Sequence, residues 1–182
     1  MKSIGIIGCG RIAQVRHIPE YADHRDARLY AFYDLNPERA RELAGTYAGR
    51  VYETYEELLE DEKIDAVSIC VPNEFHAKIS IAALKAGKDV LCEKPMAVTL
   101  EECRQMAEAA EETGKCLMIG QNQRLAKGHA LARKLIELNM PEYAGHVEPH
   151  NSFFIGTDVF YRYLVYNRCA ELKARHRLEK EH

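Results

Sequence analysis

Residues 1–13, MKSIGIIGCGRIA, set a short aliphatic run directly before glycines at positions 8 and 10 and an alanine at 13. Ser3 to Gly8 reads as a buried strand, and Arg11 to His24 as a helix broken near Pro19. A strand that runs into Gly-x-Gly-x-x-Ala and continues as a helix has the form of a phosphate-binding turn. Gly8 permits the tight turn, Gly10 leaves room for a pyrophosphate to approach the backbone, and Ala13 lets the helix pack closely on the sheet. The helix N-terminus, opened by Arg11 and Ile12, adds free N–H groups and the positive end of its dipole. Such a turn also occurs without a ligand, and context decides between the two. Here the next apolar segment, Arg28 to Asp34, ends on a carboxylate, as a dinucleotide site requires. Asp34 so placed accepts hydrogen bonds from an adenosine ribose and repels a 2'-phosphate, which predicts NAD in preference to NADP. The same Asp34 can also be read as a helix cap before LNPERA.

Working outward, strand and helix patterns alternate as far as Gly120. Asn36 to Ala48 reads as a helix with an Asn cap and a proline in its first turn. Arg50 to Glu53 is a short strand, and Thr54 to Asp61 a helix with a Thr-x-x-Glu capping box. Asp65 to Val71 is a continuous apolar run, as for a central parallel strand. Asn73 to Gly87 is a helix closed by glycine, Asp89 to Glu93 a strand, Thr99 to Gly114 a second boxed helix, and Cys116 to Gly120 a last strand. This alternation predicts an α/β fold: a doubly wound parallel sheet of the Rossmann type, strand order 3-2-1-4-5-6. Gly128 to Asn139 continues as an amphipathic helix. Beyond Asn139 the alternation stops, and Phe153, Phe154, Phe160, Tyr161, Tyr163 and Tyr166 crowd a charged segment. We therefore expect a dinucleotide domain over 1–124, then a connecting helix and a short, atypical C-terminal extension over 125–182 that is truncated or replaced.

The bulk composition bounds the function. With 182 residues, 47% hydrophobic, 29% charged and a net charge of -3, the chain has the make-up of a globular protein, with no electrostatic case for nucleic acid or an acidic membrane. No apolar run approaches a membrane span, and no cleavable leader precedes the first strand. Cys9, Cys70, Cys92, Cys103, Cys116 and Cys169 are scattered and several lie in apolar runs. They read as free thiols in a reducing, cytoplasmic setting, with no paired spacing for zinc.

Glu93-Lys94-Pro95 follows the fifth strand, so Lys94 falls on the strand-end edge that carries the glycine turn. Alone, the tripeptide is a surface loop. Together, GIIGCGRIA, YDLNPERA, SICVPNEFHAKISIAALKAGKDVLCEKPMAVTLEECRQM and QNQR resemble the Gfo/Idh/MocA family of NAD(P)-dependent oxidoreductases, over roughly Met1 to Asn139. The resemblance implies hydride transfer between a nicotinamide cofactor and a sugar, cyclitol or related polyol, with Lys94 as the catalytic residue. The cofactor set it implies is Gly8, Gly10, Arg11, Ile12, Asp34, Pro72, Asn73, His76, Glu93, Lys94, Pro95 and Gln123, with Arg124 leading away beside it and no metal. His76 carries two readings, a cofactor-loop residue and a helix-turn residue packed on the sheet. The family's second domain, with an Asp-x-x-x-His pattern that completes its active site, has no counterpart after Asn139. His146 and His150 do not match it. The alternative function is a non-catalytic dinucleotide-binding module, and the aromatic segment makes a homodimer the expected assembly.

Overall fold

A computed structural model describes residues 1–122 and Ala126. The expected helix over 128–139, the aromatic segment and the domain boundary at 124 lie outside those residues. Six parallel strands form one sheet: β1 (Lys2–Ile7), β2 (Ala27–Tyr33), β3 (Arg50–Val51), β4 (Ala66–Ile69), β5 (Asp89–Cys92) and β6 (Leu117–Ile119). Their order is β3-β2-β1-β4-β5-β6, as the alternation predicts. The helices are α1 (Ile18–Asp23), α2 (Pro37–Tyr47), α3 (Tyr55–Glu60), α4 (His76–Lys85) and α5 (Leu100–Thr113). None of the described helices is long and apolar enough to cross a membrane.

The helices divide between the two faces of the sheet. On one face Ile4, Ile6, Leu29 and Phe32 pack with Ile18 of α1 and Ala40 and Ala44 of α2. On the other, Ile7, Ala31, Val67, Ile69 and Val90 meet Leu58 and Leu59 of α3, Ala83 and Leu84 of α4, and Met106 of α5. Gly5 makes room for the second layer, since a Cβ there would come within 2.9 Å of Leu58 Cδ2.

Three local features depart from the simple patterns. β2 does not alternate throughout: Ile4 pairs with Leu29 but Gly5 with Ala31, so Tyr30 is an extra residue. This bulge reverses the parity of the strand and lets Leu29 and Phe32 face the same side. The first helix is not broken at Pro19. Residues Ala13–His17 form a π-turn that runs into α1, and Ile18 N–H reaches back to Ala13 O. Pro19 follows this turn with the backbone helical on the way in, at His17 and Ile18, so the helix runs on to Asp23. The box at Thr54 is half formed. Thr54 Oγ1 accepts from Glu57 N–H, but the Glu57 carboxylate takes Glu53 N–H instead of Thr54 N–H. At Thr99 both halves are present.

α3 leads into β4 through Asp61, whose carboxylate accepts from the Tyr52 and Tyr30 hydroxyls and from Lys63 N–H. The Tyr52 bond is the main cause that holds this carboxyl below its ordinary value of 3.8. A group depressed in the folded state contributes stability above its unfolded pKa and loses it as pH falls through the folded one. Urea unfolding between about pH 5 and pH 2 should therefore show a shallower acid loss of stability in Asp61→Asn than in the wild type. Parallel curves would show that the carboxylate network contributes nothing.

Candidate functional site

The site is assembled at the carboxyl ends of β1, β2, β4 and β5. β1 ends against two neighbours at once. Gly8 N–H donates to Tyr33 O of β2 at 2.8 Å, and Cys70 N–H, just past β4, donates to Ile7 O at 2.8 Å. At Gly8 a Cβ would lie 2.7 Å from Cys70 O, and φ is +91°. Only glycine meets both conditions. Gly10 is different: a Cβ there would meet nothing within 4 Å. Protein packing gives no reason for glycine at this position, whereas a ligand approaching the backbone does, so the residues present fit a pyrophosphate. Ala13 is fully buried, and Arg11 and Ile12 are exposed beside the turn. Gln14 closes the turn from within, its Nε2 donating to Cys9 O at 2.8 Å.

Asp34 is tied to this turn. Its Oδ2 accepts from Cys9 N–H at 2.7 Å, and its Oδ1 accepts from Asn36 N–H at 2.8 Å. Arg39 of α2 reaches both oxygens at 3.3 Å. Asp34 is therefore not the cap of α2; Asn36 is, through its bond from Glu38 N–H. The carboxylate instead pins the glycine turn to the end of β2, with a guanidinium beside it. Burial, with Asp34 adding to it, pushes the Cys9 thiol up to about 12, so Cys9 is a packing residue without nucleophilic character.

Pro72 and Asn73 stand exposed after β4, at the start of a short 3-10 turn. His76 opens α4 and is 1% exposed. Its Nδ1 lies 2.6 Å from Pro95 O and its Nε2 2.9 Å from Val71 O. It is packed on the sheet and fastens the loop after β4 to the Glu-Lys-Pro corner, so any influence on a ligand passes through those loops. At the corner, Glu93 Oε2 accepts from Lys94 N–H at 3.0 Å, the Lys94–Pro95 peptide is cis, and Lys94 is exposed. Gln123 and Arg124 lie outside the described residues. Among the described residues no three His, Cys, Asp or Glu side chains gather into a metal-binding group.

Two residues of this edge have no counterpart in the motifs. His17 is 8% exposed and lies 2.9 Å from Glu93 Oε1 and 2.7 Å from Ser68 Oγ. Its one sequence signal is its spacing of four residues from the buried Ala13, which puts it on the inner face of the helix. Ser68 carries no signal, since it sits inside an apolar strand.

Residues 2–121 match the model of an oxidoreductase family with an NAD-binding Rossmann fold. The chain is 37% identical over 124 residues to the D-glucoside 3-dehydrogenase of Escherichia coli, covering 68% of this chain and 35% of that protein. It is 33% identical to the myo-inositol 2-dehydrogenase of Thermotoga maritima, covering 74% of this chain and 40% of that one. A crystal structure of KijD10, a 3-ketoreductase from Actinomadura kijaniata in complex with NADP and TDP-benzene, superposes with a TM-score of 0.68 at 30% identity, covering 75% of this chain and 42% of the other. The chain thus spans little more than a third of the length of the curated relatives it matches.

The two glycines of the turn should separate on substitution. Gly8→Ala adds both a backbone clash and a strained φ and should cost about 3 kcal/mol in urea unfolding. Gly10→Ala should leave stability within about 0.5 kcal/mol while weakening NADH binding in a fluorescence titration. Equal effects of the two substitutions on both measurements would remove the distinction between a packing glycine and a ligand glycine.

Proposed function

Because this chain belongs to the Gfo/Idh/MocA family of oxidoreductases, we propose that residues 1–122 form the dinucleotide half of an NAD(P)-dependent dehydrogenase acting on a hydroxyl-bearing carbon of a sugar or cyclitol. The observation that carries this reading is the open space at Gly10, framed by the locked Gly8 and the tethered Asp34. The glucoside and inositol dehydrogenases among its relatives support the substrate class.

In this reading the backbone of residues 8–12 cradles the pyrophosphate at the start of the helix. Asp34 takes the adenosine ribose, and Pro72 and Asn73 line the cofactor's far side. Bound nicotinamide supplies the hydride acceptor or donor. Lys94, at the end of β5, offers its ammonium to the reacting oxygen and orients it. A base must also take the hydroxyl proton, and walls must hold the carbon near the ring. Lys94 is exposed, and no described side chain hydrogen-bonds its ammonium. That favours, as a second reading, a chain that binds the dinucleotide without efficient turnover. The buried thiols Cys9, Cys70 and Cys92 fit a reducing cytoplasm, and the aromatic residues between Phe153 and Tyr166 fit a face between two copies in a homodimer.

Calorimetry should give tighter binding of NAD than NADP, because Asp34 opposes a 2'-phosphate. Arg39 at 3.3 Å should keep the gap modest, and Asp34→Ala should narrow it. Tighter NADP binding by the wild type would overturn the assignment of Asp34. With hexoses, amino sugars and inositols, the 182-residue chain should produce NADH very slowly. Ordinary turnover that Lys94→Ala abolishes would show that the chain completes its own active site.

A further inference from the structure

One buried polar chain runs from the first helix to the Glu-Lys-Pro corner. The side chains of His17 and Glu93 are 8% and 15% exposed, and Ser68 is fully buried in β4. The partners orient the imidazole. An ionised carboxylate only accepts, so the nitrogen facing Glu93 Oε1, Nε2, carries hydrogen, while the Ser68 hydroxyl can donate to Nδ1. Strand alternation explains the meeting. Val67, Ile69 and Cys92 belong to the core beneath α3, α4 and α5, so Ser68 and Glu93 point to the opposite face, where the first helix lies. The π-turn does the rest: with Ile18 N–H reaching back to Ala13 O, Ala13, His17 and Ile18 all turn inward. Beyond Glu93 the chain continues, because Oε2 accepts Lys94 N–H at 3.0 Å. Glu93 is also confined from the side, since a Cβ on Gly120 would stand 3.3 Å from Oε1. The bonds from His17 to Glu93 and from Glu93 to Lys94 thus join the helix that starts at the glycine turn to the backbone that carries Lys94.

We propose that His17 is a positioning residue that couples the glycine turn to the Lys94 corner by holding Glu93 through its Nε2–H, a role that rests on reading this strand edge as the dinucleotide site. Without that donor, a carboxylate oxygen sunk in the edge loses its partner, the Glu93 side chain is free to turn, and the Lys94 N–H loses its acceptor. His17 touches neither cofactor nor substrate; it sets where Lys94 stands relative to the phosphate turn.

Glutamine and asparagine divide the imidazole between them. A glutamine amide sets its NH2 close to where Nε2 stands and keeps a donor for Glu93. An asparagine ends near Nδ1 and keeps only the side facing Ser68. On the full chain, NADH affinity is read by fluorescence and exchange of the Lys94 amide hydrogen by NMR. His17→Asn should weaken NADH binding and speed Lys94 exchange, each about tenfold, and His17→Gln should recover most of both. Equal behaviour of the two variants, both folded by circular dichroism, would overturn the proposal. Nitrogen shifts of the wild-type imidazole give a test independent of variant folding: a proton on Nδ1 alone would overturn it, and a proton on Nε2 supports it. Failure of the wild type to bind NADH would end the dinucleotide reading, and Lys94 exchange in the variants would still decide the coupling.

Discussion

β1 is paired on both edges, to β2 along its whole length and to β4 from Ile4 to Ile7. Past Ile7 both neighbours have ended, so a strand that ran on would leave its N–H and C=O groups without ladder partners, and the chain leaves the sheet there. That requirement generates the site. Gly8 is where the backbone turns against Cys70 O, and the departing segment begins a helix whose first N–H groups point to the open side. β2 and β4 deliver Asp34 and the Pro72–Asn73 loop to the same edge, and β5 delivers Glu93 and Lys94. The crevice lies where the connections diverge to opposite faces of the sheet, which is where an open α/β fold leaves room for a ligand.

Much of this was legible because the signals are local and strong. An apolar run ending in Gly-x-Gly-x-x-Ala, or a Thr followed three residues later by Glu, states its conformation within a few residues, and regular alternation of strand and helix permits few strand orders. What stayed hidden depends on partners distant in sequence. The extra residue at Tyr30 is invisible in RLYAFYD, since it is defined by pairing with β1. The π-turn gave no sign of itself because Pro19 suggested a break, whereas the helix passes through one wider turn just before the proline and continues to Asp23. The ambiguity at Asp34 was a matter of which backbone N–H it meets. The answer, Cys9, lies across the sheet in the turn, and α2 is capped by Asn36. His76 illustrates a further limit: the motif marks its position, but only packing reveals that both ring nitrogens are committed to carbonyl oxygens.

The two histidines perform complementary tasks on opposite faces of the sheet. His76, on the α4 side, fastens the loop after β4 to Pro95. His17, on the side of the first helix, reaches Glu93 two residues earlier. The Glu-Lys-Pro corner is thereby held from above and below the sheet, while the Lys94 side chain itself extends into solvent.

The distribution of the thiols has a consequence for how the protein ages. Cys9 and Cys70 lie beneath the glycine turn with their thiols pushed up to about 12, and Cys92, under the Lys94 corner, to about 11, in each case chiefly by burial. Oxidants and alkylating agents attack the thiolate, and these three sulfurs scarcely form it. Among the described residues the exposed thiol is Cys116, which precedes β6 at the end of the sheet away from the crevice. Among the described cysteines, peroxide or a maleimide dye would therefore reach Cys116, at the end of the sheet opposite the glycine turn, before the three sulfurs beneath the turn and the corner.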